Sequence, residues 1–92
     1  MKTETIQALF LAGIALNAEL IPADHSEREL ITALAGFKYF SVVTEMFANG
    51  ALIPILENAY NFLELYAVEK YPHLKEPLTI LSATGHGTGD GI

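Results

Sequence analysis

The fold of this chain is decided by one stretch, SERELITALAGFKYFSVVTEMFANG, which spans residues 26–50. It opens with a capping box, because the Ser26 oxygen can accept the Glu29 N–H while the Glu29 carboxylate reaches back to the Ser26 N–H. It closes with Gly50, and glycine readily adopts the left-handed conformation that ends helices. Between these signals the sequence predicts a helix from Glu27 to Ala48, about 33 Å long at 1.5 Å per residue.

This predicted helix carries apolar residues on two sides. At about 100° per residue, one side gathers a first stripe, made of Leu30, Ala33, Leu34, Phe37, Phe40 and Phe47. A second stripe lies roughly opposite and contains Ile31, Ala35, Val42 and Met46. Helices of a chain this small normally bury one face, so the second stripe needs a cover.

Two covers fit the sequence. The first is a second copy or a partner protein, with a seam formed by Ile31, Ala35, Tyr39, Val42 and Met46 and joined by Leu11 and Ile14 of the preceding helix. The second is the C-terminal segment of the same chain, in which Leu74, Leu78, Ile80 and Leu81 could fold back onto the second stripe. The shortage of polar surface favours the seam.

Two further helices flank the central one. The first is expected from Glu4 to about Leu20, since Pro22 disfavours helix at the residue before it, and the third from near Ile53 to Lys70. Short connections make successive helices antiparallel neighbours. We therefore expect an all-α fold: a small antiparallel bundle of three main helices plus a short C-terminal segment. It would form a single domain over residues 1–84, followed by a flexible Gly-rich tail over residues 85–92.

Helical spacing also predicts which residues of the flanking helices face inward. On the first helix these are Ile6, Leu9, Gly13, Leu16 and Leu20. On the third they are Leu52, Ile55, Leu56, Ala59, Phe62, Leu63 and Tyr66. Residues 77–83 are expected to form a short fourth helix or an extended segment.

Composition points to association. Of the 92 residues 51% are hydrophobic and only 17% are charged, against a usual charged share of roughly 25%. A free monomer would be short of polar surface, which favours a homo-oligomer. The mean hydropathy of +0.33 also leaves open a small membrane-associated protein, although no stretch approaches the roughly 20 apolar residues of a membrane span.

The charge balance limits the classes of molecule that the chain is expected to bind. Eleven acidic residues face five basic ones, for a net charge of −6, and the basic residues are scattered. Without a basic stripe to neutralise phosphates, direct nucleic-acid binding is not expected. The absence of cysteine excludes disulfides, thiol catalysis and thiolate metal sites, and it fits a reducing compartment such as the cytoplasm.

Three features invite a chemical interpretation, and each has a simpler one. Asp24, His25 and Ser26 are the residue types of a hydrolase triad, but triads assemble from distant segments, so a polar loop feeding a helix cap is favoured. The glycine-rich residues 85–91 lack the following helix that a phosphate loop needs and the spaced carboxylates of a calcium loop. The histidines show no metal-ligand spacing. We expect no enzyme, no cofactor and no metal.

The N-terminus loosely resembles a signal peptide, with Lys2 followed by an apolar stretch and then Ile21-Pro22-Ala23. Glu4 stands where a signal peptide is basic, and Asn17 and Glu19 follow the apolar stretch. Retention in the cytoplasm is therefore favoured over export.

Three functional hypotheses follow. The leading one is a small non-enzymatic helical protein that self-associates and acts by protein–protein interaction, as a regulatory or inhibitory accessory factor of microbial or viral type. The first alternative is a small-molecule binding protein with a pocket between helices or at a subunit interface, where Arg28, Lys38 and Tyr39 would contact an anionic or aromatic ligand. The second alternative is a small membrane-associated protein.

Overall fold

The computed structural model describes residues 2–46 and 50–80 of the chain, with the backbone alone for residues 44–46. Three helices pack against one another: α1 (Thr3–Ala15), α2 (Glu27–Met46) and α3 (Ile53–Lys70). Short 3-10 turns lie at Ala18–Leu20, Gly50–Leu52 and Pro72–Leu74, and residues 75–80 are helical. The predicted all-α bundle with its short C-terminal segment is confirmed. The predicted tail and the domain boundary at residue 84 lie outside the described residues.

The first helix ends earlier than its apolar pattern predicts. Leu16 adopts the left-handed conformation, with φ 54° and ψ 41°, and the Asn17 N–H donates to the Ala12 carbonyl at 3.0 Å. The Asn17 side chain then accepts the Glu19 N–H at 3.0 Å and begins the next 3-10 turn. The prediction that this helix runs to Leu20 is wrong, because the Asn17 side chain offers the backbone an alternative to helix. Leu16 and Leu20, predicted to face inward, are exposed.

The capping box at the start of α2 is confirmed and does more than cap one helix. The Ser26 Oγ accepts the Glu29 N–H at 3.1 Å, and the Ser26 N–H donates to Glu29 Oε1 at 2.8 Å. The second carboxylate oxygen, Oε2, accepts the N–H of Lys2 at 2.7 Å. Since Lys2 is the N-cap of α1, the buried Glu29 side chain joins the beginnings of two helices.

The core lies where the three helices meet. Its largest fully buried side chains are Phe37, Leu9, Leu30, Leu34 and Leu63, so the first stripe of α2 is the inward one, as predicted. Gly13 of α1 allows the close approach, since a Cβ there would lie 3.0 Å from Phe37 Cε2 and 3.3 Å from Leu63 Cδ1.

The inward side of α3 is rotated from the predicted one. Leu52 and Ile55 are exposed, so their predicted inward placement is wrong. Tyr60, which the pattern left out of the inward set, is buried, with the Lys38 Nζ 5.1 Å from its ring centroid. Because Tyr60 packs into the bundle beside α2, the buried side of α3 is centred away from Ile55.

The C-terminal segment joins the core cluster, and the second stripe is only partly buried. Leu74 and Leu78 are buried members of the core cluster, and the half-buried Ile31 packs against that cluster. Ile80 is exposed, as is Val42. The second stripe is therefore half-buried at Ile31 and exposed at Ala35 and Val42.

Candidate interaction surface

One side of α2 remains uncovered after the bundle has formed. Ala35, Tyr39 and Val42 are all exposed, Tyr39 by 65% and Val42 by 47%. They fall on one side because residues three and four apart in a helix are neighbours. The helical period of α2 thus places three predicted seam residues together.

A row of aromatic rings extends this surface onto α1. The Phe10 and Phe40 ring centroids are 6.1 Å apart, and those of Phe40 and Tyr39 are 5.7 Å apart, both pairs edge to face. Phe40 is 48% exposed. The pattern assigned Phe40 to the inward stripe, but it lies at the edge of that stripe. Phe40 lies at the margin of the stripe, on the side that faces α1. This position is the sequence signal that could have predicted its exposure.

The absence of a side chain at Gly36 makes room for Phe10, the first ring of this row. A Cβ at Gly36 would lie 2.4 Å from Phe10 Cζ, so the ring of Phe10 fills the space that any side chain at this position would need. Phe10 also meets the buried Phe37 edge to face at 4.8 Å. One ring therefore contacts both the core and the exposed row.

Leu11 and Ile14 continue the surface along α1. Both are predicted seam residues, and both are exposed. Ile14 lies one turn beyond Phe10, so it borders the aromatic row. We refer to the combined surface as the apolar face, formed by Phe10, Leu11, Ile14, Ala35, Tyr39, Phe40 and Val42.

The apolar face lies in the least charged part of the chain. Residues 5–18 contain no charged side chain, and residues 30–43 contain Lys38 alone. The rest of the chain has eleven acidic and four basic residues, a net charge of −7. Acidic residues are therefore excluded from the segments that build the apolar face.

Two other predicted seam residues stand apart from it. Ile31 is half-buried against the core cluster. Met46 belongs to α2, but its side chain lies outside what the structure describes.

The predicted ligand residues are engaged in different ways. Arg28 is exposed at the start of α2, and Tyr39 belongs to the apolar face. The Lys38 ammonium lies instead over the Tyr60 ring on α3. Burial raises the pKa of the neighbouring Glu64 carboxyl, and the positive charge of Lys38 opposes that shift. Lys38 therefore joins α2 to α3, on the other side of the helix from the aromatic row.

A separate polar junction fastens the start of α2 to the end of α3. His25 Nε2 lies 2.7 Å from the Tyr66 hydroxyl and 3.5 Å from Lys70 Nζ. An ammonium can only donate, so the contact with Lys70 suits Nε2 as an acceptor, and Nδ1 lies 3.5 Å from the Ser26 carbonyl oxygen. His73 Nε2 lies 2.8 Å from Glu27 Oε1 and holds the C-terminal turn against α2.

The side chains of the triad-like sequence Asp24-His25-Ser26 have separate partners. His25 faces Tyr66, Ser26 caps α2, and the exposed Asp24 carboxylate lies 3.9 Å from Lys2 Nζ. These side chains point to three different partners and form no relay.

Neither a metal-binding group nor a membrane-spanning helix occurs among the described residues. Within residues 2–46 and 50–80 no group of three His, Cys, Asp or Glu side chains could hold a metal ion. Among the helices in those same ranges, none is long and apolar enough to cross a membrane. The glycine-rich residues 85–91 lie beyond the described part of the chain.

No protein-family model, curated protein or solved structure matches this chain.

Proposed function

We propose that this chain is a small non-enzymatic helical protein that self-associates and acts by protein–protein interaction. The observation that carries the proposal is the apolar face, which the complete bundle of α1, α2 and α3 leaves uncovered. Such a protein would serve as a regulatory or inhibitory accessory factor. The cysteine-free sequence supports the cytoplasm as its location.

The size of the apolar face supports this proposal. Leu11, Ile14, Tyr39, Phe40 and Val42 each expose about half or more of their surface. Side chains of this size present roughly 150–200 Å² when fully exposed, so the five leave on the order of 500 Å² on one copy. Two such surfaces brought together bury about 1,000 Å², the lower bound for a specific interface.

The residue types of the apolar face support it as well. Exposed leucines scattered singly need no explanation, but here the exposed residues include two aromatic side chains on α2, Tyr39 and Phe40, which contact each other. Aromatic residues are enriched at the centres of protein interfaces, and Asp, Glu and Lys are depleted there. Tyr39 suits such a position because its ring is apolar while its hydroxyl can remain in water at the rim.

Sedimentation velocity over about a hundredfold range of concentration tests the proposal, because mass action makes association depend on concentration. We expect species heavier than the 10.0 kDa chain that dissociate on dilution. A single species of 10.0 kDa at every concentration would contradict self-association.

A further inference from the structure

The exposed side of α2 has a small residue beside a large one. Ala35 and Tyr39 are four residues apart, so they lie on the same side and about 6 Å apart along the helix axis. Ala35 carries only a methyl group, so the helix surface is lower there than at the Tyr39 ring one turn later, and both residues are exposed.

We propose that the occupant of this surface is a second copy of the chain, packed with its α2 antiparallel to the first. The two-fold axis passes at the level of Phe37, midway between Ala35 and Tyr39. Each Tyr39 ring then packs over the lower surface at the partner's Ala35. This inference rests on the proposed function and adds the partner, the helix direction and the register.

The spacing makes the surface complementary to itself. In a two-fold interface the same patch serves on both sides, so a projection must face a hollow of its own surface. An antiparallel pair centred on residue 37 meets this requirement twice, once for each Tyr39. The small Ala35 side chain also allows the helix axes to approach to about 8–10 Å.

Charge favours the apolar face over other surfaces for a contact between two copies of the chain. Outside residues 5–18 and 30–43 the chain has a net charge of −7, so other surfaces of two copies repel each other. The apolar face contains no acidic residue and lets two copies approach without placing carboxylates opposite each other.

One polar group beside the proposed contact, the Thr32 hydroxyl, already has a partner within its own helix. Thr32 lies five residues before Phe37, and Val42 lies five residues after it. The Thr32 hydroxyl donates to the Arg28 carbonyl at 2.8 Å, so covering Thr32 leaves its proton donor paired. In the proposed register Thr32 of one copy faces Val42 of the other.

Cross-linking tests the register, and the chain has no cysteine of its own. We would prepare Thr32→Cys and Val42→Cys separately, both close in size to the native residues, and treat each alone and an equal mixture with a short bifunctional maleimide. The inference expects cross-linked dimers in the mixture and few with either variant alone. Two Thr32 positions, or two Val42 positions, would lie about 15 Å apart along the helices. Leu65→Cys, at the most exposed large apolar residue of α3, measures chance collisions.

The outcomes separate the inference from the proposed function. Dimers from each variant alone would indicate parallel helices and overturn the register. Association by sedimentation without cross-linking above the Leu65→Cys level would overturn the surface but leave self-association standing. A monomer at every concentration would overturn both. So would a monomer that binds phospholipid vesicles and loses that binding on Val42→Glu, since the occupant would then be a lipid surface.

Discussion

Glu29 connects the beginnings of α1 and α2 through one carboxylate. The N–H of Lys2 and then that of Ser26 lower the pKa of this carboxyl, because both donors stabilise its charged form. A lowered pKa in the folded state means that the charged carboxylate stabilises the fold at pH values above its ordinary pKa. This stability is lost as the pH falls through the folded-state value.

The first prediction follows from the lowered pKa of Glu29. Glu29→Gln should lower the free energy of unfolding at neutral pH, since the amide oxygen can accept only one of the two N–H donors and the NH₂ would face the other, and it should flatten the fall in stability on acidification. Chemical denaturation monitored by circular dichroism at neutral and acidic pH measures both effects.

Glu64→Gln is the matched control for that prediction. Because burial raises the Glu64 pKa, the contribution of this group to stability is present below its ordinary pKa and is lost as the pH rises. This variant should leave stability at neutral pH unchanged or higher. A Glu29→Gln variant as stable as the native chain, with the same pH dependence, would contradict the role assigned to this carboxylate.

Leu16 gives the second prediction at this scale. A non-glycine residue in the left-handed conformation costs about 1 kcal/mol, and Leu16 recovers little by burial because it is 51% exposed. Leu16→Gly should therefore raise the free energy of unfolding by about 0.5–1 kcal/mol, which thermal unfolding detects as a few degrees in Tm.

The neighbouring residue provides the comparison. Ala15 is exposed and is the last residue of α1, so Ala15→Gly should lower stability by up to about 1 kcal/mol. If both glycine variants lowered the melting temperature equally, the conformation of Leu16 would not be strained.

At the scale of elements, the contact between α1 and α2 depends on Gly36 and Phe10. Gly36→Ala improves helix propensity by about 1 kcal/mol but displaces the Phe10 ring, since the new Cβ would lie 2.4 Å from Phe10 Cζ. We expect a net loss of up to about 2 kcal/mol, because overpacking usually costs about 1–3 kcal/mol.

A double-mutant cycle with Phe10→Leu isolates this contact. In the Phe10→Leu background, Gly36→Ala should be neutral or stabilising, because the clashing ring tip is gone. Equal effects of Gly36→Ala in both backgrounds, measured by urea denaturation, would show that the ring does not occupy the space at Gly36.

Local signals predicted the elements well where a single interaction determines the structure. Ser26 and Glu29 form the predicted box, and α3 ends at the predicted Lys70. The end of α1 was missed because the Asn17 side chain competes with an apolar pattern that continues past it.

Which residues are exposed on the apolar face was only partly predictable from the sequence, and the reason is geometric. Periodicity identifies the sides of a helix, but the angle at which a neighbour packs decides where burial stops. Phe40 and Tyr60 lie at such boundaries: the first is exposed and the second buried, contrary to the pattern.

At the scale of the molecule, the chain separates its charge from its apolar surface. The bundle buries one side of α2, the C-terminal segment adds Leu74 and Leu78 to the core, and the apolar face remains on the side without acidic residues. A surface of this kind weakens the case for a free monomer and favours association.

The most direct measurement of this claim is the mass in solution of Val42→Glu beside Leu65→Glu. Both changes place a carboxylate at an exposed apolar residue, the first on the apolar face and the second on α3, where Leu65 is 74% exposed. We predict that Val42→Glu sediments as a 10.0 kDa monomer with native helix content, while Leu65→Glu associates as the native chain does. Association unchanged by Val42→Glu, or its loss in both variants, would contradict the account.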